Sequence, residues 1–203
     1  MNSKTITWYF FSFLLALLLK QYLVYYYNSV YDDQVSQLLG ALNINKGAGY
    51  TIESVSLQDL SASVSQRMVG WPPLPSYLLA GMLKLTGNNA YLACYLLDAL
   101  LALLQVSVIS VLMYQIRLPL LVSCLFIVMA GADMNDYIRD STFSDLMGLD
   151  AMLLCYCCLW FYFKNENSMA ACLAAFFALI AAYVKYHYVP VAVFLPMLLI
   201  ADA

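Results

Sequence analysis

The chain has very little charge and almost no histidine. Only 10% of its 203 residues are charged, whereas ordinary soluble domains carry about a quarter. Nine basic residues against twelve acidic ones leave a net charge of −3. No polycationic surface is therefore present to bind nucleic acid. His187 is the single histidine, which excludes a histidine-rich zinc site within this sequence.

What the chain has instead is apolar residues. They make up 64% of the sequence, and the mean hydropathy is +0.78. A soluble domain of about 150 residues buries only about 70% of the surface that its unfolded chain exposes. So much apolar surface cannot be hidden in a water-soluble fold of this size. The composition excludes a soluble enzyme, a disordered tail and a fibrous repeat, and it predicts a membrane protein with several spans.

Apolar runs predict an all-α membrane protein of five or six transmembrane helices, in one module over residues 1–203. A helix needs about 20 mostly apolar residues to cross the hydrocarbon core. The predicted spans cover residues 6–27, 90–114, 118–132, 146–163 and 169–184, with a sixth over 189–203. The apolar run 75–87 is only about 20 Å long if helical. It is predicted to be a short in-plane or re-entrant helix.

Two polar segments separate these runs. Residues 28–73 form a long loop whose Ser- and Gln-rich part, 54–69, is predicted to be a short surface helix, with a turn before it at Gly47 and Gly49. Residues 133–150 form a second, acidic segment. Within the first span, Lys20 is expected to extend its side chain toward the nearer membrane interface.

Basic residues predict the orientation. Lys4, Arg117 and Lys164 lie in very short polar segments, whereas the two long segments together hold only three basic residues. Cytoplasmic segments are enriched in Lys and Arg. The N-terminus is therefore expected in the cytoplasm, and both long acidic segments on the outer face.

The first candidate for chemistry is the pair Asp32-Asp33, just beyond the first span. Two adjacent carboxylates repel each other, so a cation, a metal ion or a bound donor is expected nearby. One of them could act as a general base toward an acceptor hydroxyl. The alternative is a solvated helix start, where the helix dipole favours Asp.

Other candidates lie at the predicted span ends. Lys185 and His187 flank the outer end of the fifth span, where ionisable residues are functional candidates. The alternatives are that Lys185 only extends its side chain to the membrane interface and that His187 is a surface or packing residue. Asp145 precedes the fourth apolar run. It is a candidate to bind the acceptor or a metal ion, and the alternative is that it caps the helix. Asp98 lies inside a span, at a cost of about 2.5–3.5 kcal/mol if it faced lipid. It is expected to face protein or water.

The order of these features resembles a known family. The first span, the acidic pair and the long loop are followed by WPPLPSYLLA at residues 71–80. This order is similar to that in membrane glycosyltransferases of the GT-C class, particularly bacterial relatives of protein mannosyltransferases and lipid A aminoarabinose transferases. These enzymes take a sugar from a polyprenyl-phosphate carrier. The motif residues that carry the resemblance are Trp71, Pro72, Pro73 and Tyr77.

The resemblance implies roles for the candidates. Asp32 would be the base, with Asp33 assisting or binding a divalent metal ion. The residues that would contact the donor phosphate are Arg139, Lys185 and His187, and Asp145 is the acceptor or metal candidate. The reaction would transfer one sugar, with inversion, to an acceptor hydroxyl at the outer face of a bacterial inner membrane. The family is more than twice this length, so a second chain is a candidate for the remaining part.

Two alternatives stay open. The chain could be a truncated, non-catalytic multi-span protein that binds lipid or a partner chain. A transporter or channel ranks last, because that class predicts ionisable residues deep in several spans and Asp98 is the one candidate.

Overall fold

The computed structural model describes residues 3–26, 32–55, 61, 63–70, 72–132 and 143–202. It is mostly helical, at 82%. The chain divides into two compact units, which we call the bundle unit and the insert unit. The bundle unit comprises Met1–Ser29 and Asp98–Ala203, and the insert unit comprises Val30–Leu97.

The described residues form eight α-helices, one 3-10 turn and a two-stranded sheet. In chain order they are α1 (Ser3–Tyr26), α2 (Asp32–Asn45), β1 (Thr51–Val55), β2 (Ser63–Arg67), α3 (Leu74–Leu85), α4 (Ala90–Ile116), α5 (Leu120–Ala132), α6 (Phe143–Asn165), α7 (Ser168–Val184), the 3-10 turn (Tyr186–Tyr188) and α8 (Val189–Asp202).

Three of the described helices are long and apolar enough to cross a membrane. These are Lys4–Tyr25 in α1, Ala90–Ile116 in α4 and Ser144–Asn165 in α6. Only 17% of the most apolar window of α1 is buried within the protein. The remaining surface of that window includes Trp8, Phe10, Phe11 and Leu18, all more than half exposed. An exposed apolar surface of this extent is compatible with contact with lipid.

Two small residues meet at a close contact between helices of the bundle unit. Gly131 of α5 lies so near the backbone of Ala16 in α1 that a Cβ atom there would overlap the Ala16 carbonyl oxygen. Ala16 packs in one buried cluster with Val106 and Ile127. Small residues allow helix backbones to approach closely, which is how helices in membranes gain packing contacts.

The second half of the bundle unit is held by one small-residue face of α7. The buried positions of that face are Ala170, Ala174, Ala178, Ala181 and Val184. Two of them pack with Cys155 of α6 and Ala192 of α8. The helix begins where the Asn167 side chain accepts a hydrogen bond from the Met169 backbone N–H, at 2.9 Å.

The insert unit combines α2, α3 and a β-hairpin. Gly47 and Gly49 have φ values of +79° and +74°, which confirms the predicted turn at these glycines. β1 and β2 are antiparallel, with Thr51 opposite Arg67 and Val55 opposite Ser63. The predicted surface helix over 54–69 is therefore wrong. Serine side chains compete with the backbone for helix hydrogen bonds, and the hairpin satisfies the strand backbone instead.

The two predicted acidic segments contain more helix than expected. α2 occupies part of the segment 28–73. α6 begins at Phe143, so the last eight residues of the segment 133–150 are helical. Residues 133–142 lie outside the described residues. The predicted short helix at 75–87 is confirmed as α3, while its in-plane or re-entrant position stays a prediction.

Candidate functional site

Asp32 and Asp33 are the first two residues of α2. The sequence allowed two interpretations of the pair, a catalytic base or a solvated helix start. The observed position fits the helix start, because carboxylates are favoured near the positive end of the helix dipole. A catalytic base at this position is compatible with the same geometry. The helix start therefore does not decide between the two interpretations.

The helix that carries the acidic pair packs against the helix that follows the Pro-Pro motif. The Ser76 hydroxyl of α3 donates a hydrogen bond to the Gln37 carbonyl of α2, at 3.0 Å and buried. Further along, the Asn45 side-chain amide donates to the Ala80 carbonyl, at 3.0 Å. Gly40 of α2 faces this contact, since a Cβ atom there would lie 3.2 Å from the Ser76 hydroxyl oxygen.

Tyr50, which immediately precedes β1, contacts the Pro-Pro motif and α3. Its hydroxyl donates to the Pro72 carbonyl at 3.2 Å, and its ring stacks on Tyr77 with the centroids 6.4 Å apart. Pro72 is buried and Tyr77 is half exposed. Pro73 is the residue immediately before α3. Trp71 lies outside the described residues.

Gln37 is a polar residue that the sequence analysis missed. Its side chain is completely buried, and among the described residues neither its amide nitrogen nor its side-chain oxygen has a hydrogen-bond partner. Leaving such a group unsatisfied costs about 1–3 kcal/mol.

Two of the predicted site residues meet in the bundle unit. The Lys185 ammonium group forms an ion pair with the Asp145 carboxylate, and each side chain keeps about a quarter of its surface exposed, at 22% and 24%. Lys185 follows α7 in an extended conformation, and Asp145 lies in the first turn of α6. A cation predicted to bind phosphate therefore already has a carboxylate counter-ion.

The remaining candidates lie around that ion pair or outside the described residues. His187 is exposed in the 3-10 turn after Lys185. In the same turn, the Tyr188 ring packs so closely on Gly148 that a Cβ atom there would lie 2.7 Å from the ring. Arg139 lies outside the described residues.

Two buried ionisable residues inside the helices were not predicted. Lys20 of α1 is only 3% exposed and Asp150 of α6 only 1%, and the two interact electrostatically. The prediction that Lys20 extends to the interface is therefore wrong, because its side chain is enclosed by protein. Among the described residues the Asp150 carboxylate oxygens have no hydrogen-bond partner.

A further polar contact lies beside Lys20. The Gln21 side-chain amide donates to the Ala99 carbonyl of α4, at 2.9 Å. The neighbouring Asp98 is partly buried. Polar residues thus occur in all three candidate spans. Asp98 is therefore accompanied by buried ionisable residues in the other two candidate spans, Lys20 and Asp150.

Metal ligation finds little support in the described ranges. Within residues 3–26, 32–55, 61, 63–70, 72–132 and 143–202, no group of three His, Cys, Asp or Glu side chains is placed to hold a metal ion. Asp145, a metal candidate from the sequence, faces the Lys185 ammonium group. A cation beside a carboxylate disfavours binding of a second cation.

Comparison with known proteins finds no matching family, curated protein or solved structure.

Proposed function

We propose that this chain is a membrane glycosyltransferase, or its N-terminal portion, that transfers a sugar from a polyprenyl-phosphate donor to an acceptor hydroxyl at the outer face of the membrane. The observation that carries the proposal is the packing of α2 on α3. It joins the helix that begins with Asp32-Asp33 to the helix that follows Pro72-Pro73 through the buried Ser76–Gln37 hydrogen bond. The two motifs of the resemblance thus belong to one packed unit.

In the proposed reaction, the acceptor hydroxyl gives its proton to the Asp32 carboxylate as its oxygen attacks the anomeric carbon of the donor sugar. The bond between that carbon and the phosphate oxygen breaks, and polyprenyl phosphate leaves with the electron pair. A positioned cation stabilises the negative charge that develops on the leaving group. Asp33 assists the base.

The cations proposed for the donor phosphate are Arg139, Lys185 and His187. Because Lys185 is paired with Asp145, a phosphate there would compete with a carboxylate for the ammonium group. His187 is exposed beside them and would contribute charge only when protonated. Asp145 then has a positioning role toward Lys185.

The test is turnover with a defined set of donors. The full chain, reconstituted in lipid vesicles, is offered polyprenyl-phosphate-linked hexoses and pentoses, and release of polyprenyl phosphate is measured. We expect Asp32→Asn to abolish turnover. The matched control is Glu53→Gln, which neutralises an exposed carboxylate on β1 and should leave turnover unchanged. Equal turnover by Asp32→Asn and the parent chain would overturn the proposal.

A second candidate is a non-catalytic membrane protein that binds lipid or a partner chain. The Lys185–Asp145 ion pair favours it, because it neutralises a cation that catalysis would need for the leaving phosphate. This candidate predicts saturable donor binding without turnover, with equal affinity in the parent chain and in Asp32→Asn.

Lys20 and Asp150 add two buried ionisable residues to the candidate spans, as a transporter would require, but their depth argues against that function. Asp150 lies six residues from the start of the candidate span Ser144–Asn165, or about 9 Å at 1.5 Å per residue. Binding sites in transporters lie near the bilayer midplane, about 15 Å from either edge of the hydrocarbon core. The pair is therefore closer to one end of its helices than transport chemistry would place it.

A further inference from the structure

A cavity of about 690 Å³ opens at the end of the bundle unit that carries the chain's N-terminal residues. All three candidate spans contribute to it, each near one of its own ends. α1 supplies Thr5 and Tyr9, α4 supplies Tyr114 and Gln115, and α6 supplies Lys164. Since the ends of membrane-spanning helices lie at the level of the lipid headgroups, this cavity is at the depth where a headgroup would be.

The lining of the cavity is cationic. Arg117 and Lys164 both line it, and no Asp or Glu does. Neither cation has an ion-pair partner within the described part of the chain. Arg117 has a φ of +58°, in the turn between α4 and α5. Two cations facing one cavity repel each other, and a bound phosphate relieves that repulsion through charge-assisted hydrogen bonds.

Gln115 contributes a polar atom that needs a hydrogen-bond donor. Its side-chain oxygen is buried and, among the described residues, has no hydrogen-bond partner. This oxygen is an acceptor, so it calls for a donor on the ligand, such as a hydroxyl group. The wall beside it is fixed, because the Tyr9 and Tyr114 rings meet edge to face with their centroids 6.0 Å apart.

An apolar groove continues from the cavity along α1 and α4. It encloses about 280 Å³ and shares Tyr9, Val111 and Tyr114 with the cavity. Its remaining lining is largely apolar and includes Phe10 and Phe13. A soluble phosphate ester would leave this groove empty. An acyl chain attached to a bound phosphate would fill it.

We infer that the cavity and groove together bind one anionic phospholipid whose headgroup combines a phosphodiester with a hydroxyl group, as phosphatidylglycerol does. Arg117 and Lys164 contact the phosphodiester, Gln115 accepts a hydrogen bond from the headgroup hydroxyl, and one acyl chain lies in the groove. This site is independent of glycosyl transfer, and its failure would leave the proposed function untouched.

The experiment measures lipid affinity of the full chain in a neutral detergent. Dioctanoyl phosphatidylglycerol and dioctanoyl phosphatidylcholine are titrated separately. We expect the anionic lipid to bind at least about tenfold more tightly, equivalent to about 1.4 kcal/mol. The double variant R117Q/K164Q should lose this preference. The control R67Q/K84Q removes the same charges outside the cavity and should retain it. Equal affinity for the two lipids in the parent chain would overturn the inference.

The contribution of the groove is tested on two serines of α4 that are otherwise alike. Ser107 and Ser110 each donate a 2.7 Å hydrogen bond to the carbonyl four residues earlier, but only Ser110 lines the groove. Ser110→Phe should weaken lipid binding by about tenfold, while Ser107→Phe should not. Displacement of the lipid by soluble glycerophosphoglycerol at equal concentration would overturn the lipid assignment and indicate a soluble phosphate ester instead.

Discussion

Lys185 and Asp145 form an ion pair that joins the end of α7 to the first turn of α6. The two helices are connected at their other ends by the short turn at Glu166 and Asn167. The α6–α7 hairpin is therefore connected covalently by the turn at one end, and an ion pair links its two helices at the other end. The pair also brings together two residues for which the sequence suggested separate roles.

This ion pair should contribute little to stability. Both side chains are partly exposed, and such pairs are worth about 0–1 kcal/mol. We expect Lys185→Gln, Asp145→Asn and the double variant to shift thermal unfolding in detergent only slightly. A double-mutant cycle should give a coupling energy below about 1 kcal/mol. A much larger coupling would show that the pair is shielded from water and contradict the exposure described here.

The buried pair of Lys20 and Asp150 should behave in the opposite way. Lys20→Met leaves the enclosed Asp150 carboxyl group without its nearby cation. Removing one partner of a hydrogen-bonded buried ion pair costs about 3–5 kcal/mol, and the loss here should be smaller because the Asp150 carboxylate oxygens have no hydrogen-bond partner among the described residues. The double variant K20M/D150L should recover most of that loss, because both charges disappear together. The measurement is unfolding in detergent. Lys164→Met, at an exposed position of α6, is the control and should have almost no effect.

The close contact between α1 and α5 gives a glycine prediction. Gly131→Ala places a methyl group against the Ala16 backbone, which cannot move aside as a side chain could. We expect a loss of about 1–3 kcal/mol, measured by unfolding in detergent. Gly81→Ala is the matched control, since nothing lies within 4 Å of its added methyl group. That substitution should be neutral or stabilising by up to about 1 kcal/mol.

Cysteine labelling tests which chain segments share a membrane face. Lys4→Cys and Glu166→Cys should react with an impermeant maleimide from one face, because Thr5 and Lys164 line the same cavity. Ser65→Cys should react from the other face if α1 crosses the membrane, because this candidate span separates Lys4 from Ser65 along the chain. Labelling of all three from one face would contradict a membrane-spanning α1.

The proposed function adds a stricter requirement to this experiment. Asp140→Cys must label from the same face as Ser65→Cys, since donor and acceptor meet on one side of the membrane. Labelling of these two positions from opposite faces would contradict glycosyl transfer by this chain while leaving the fold unaffected.

The long helices could be predicted because length and hydropathy are local properties. The predicted run 90–114 corresponds to α4, Ala90–Ile116, and the run 169–184 corresponds to α7, Ser168–Val184. Residues that begin or end a helix also mark the ends of these two helices in the sequence. Asn167 caps one of them, and Arg117 and Pro119 follow the other.

The insert unit could not be predicted in the same way. α2 is stabilised by long-range partners, such as the hydrogen bond from Ser76 to Gln37, and its own sequence has no strong apolar pattern. The hairpin depends on pairing between Thr51 and Arg67, which composition does not reveal. For the same reason the Lys20–Asp150 pair was missed, because the sequence does not indicate which two distant positions face each other.

The length of α7 has a consequence for the lipid around the protein. Seventeen residues separate its Asn167 cap from Lys185, which corresponds to about 25 Å along the axis at 1.5 Å per residue. A typical hydrocarbon core is about 30 Å thick. If α7 crosses the bilayer, as its sequence predicts, the polar group at each of its ends requires the bilayer beside it to thin locally, and membranes of smaller thickness should accommodate the protein with less distortion.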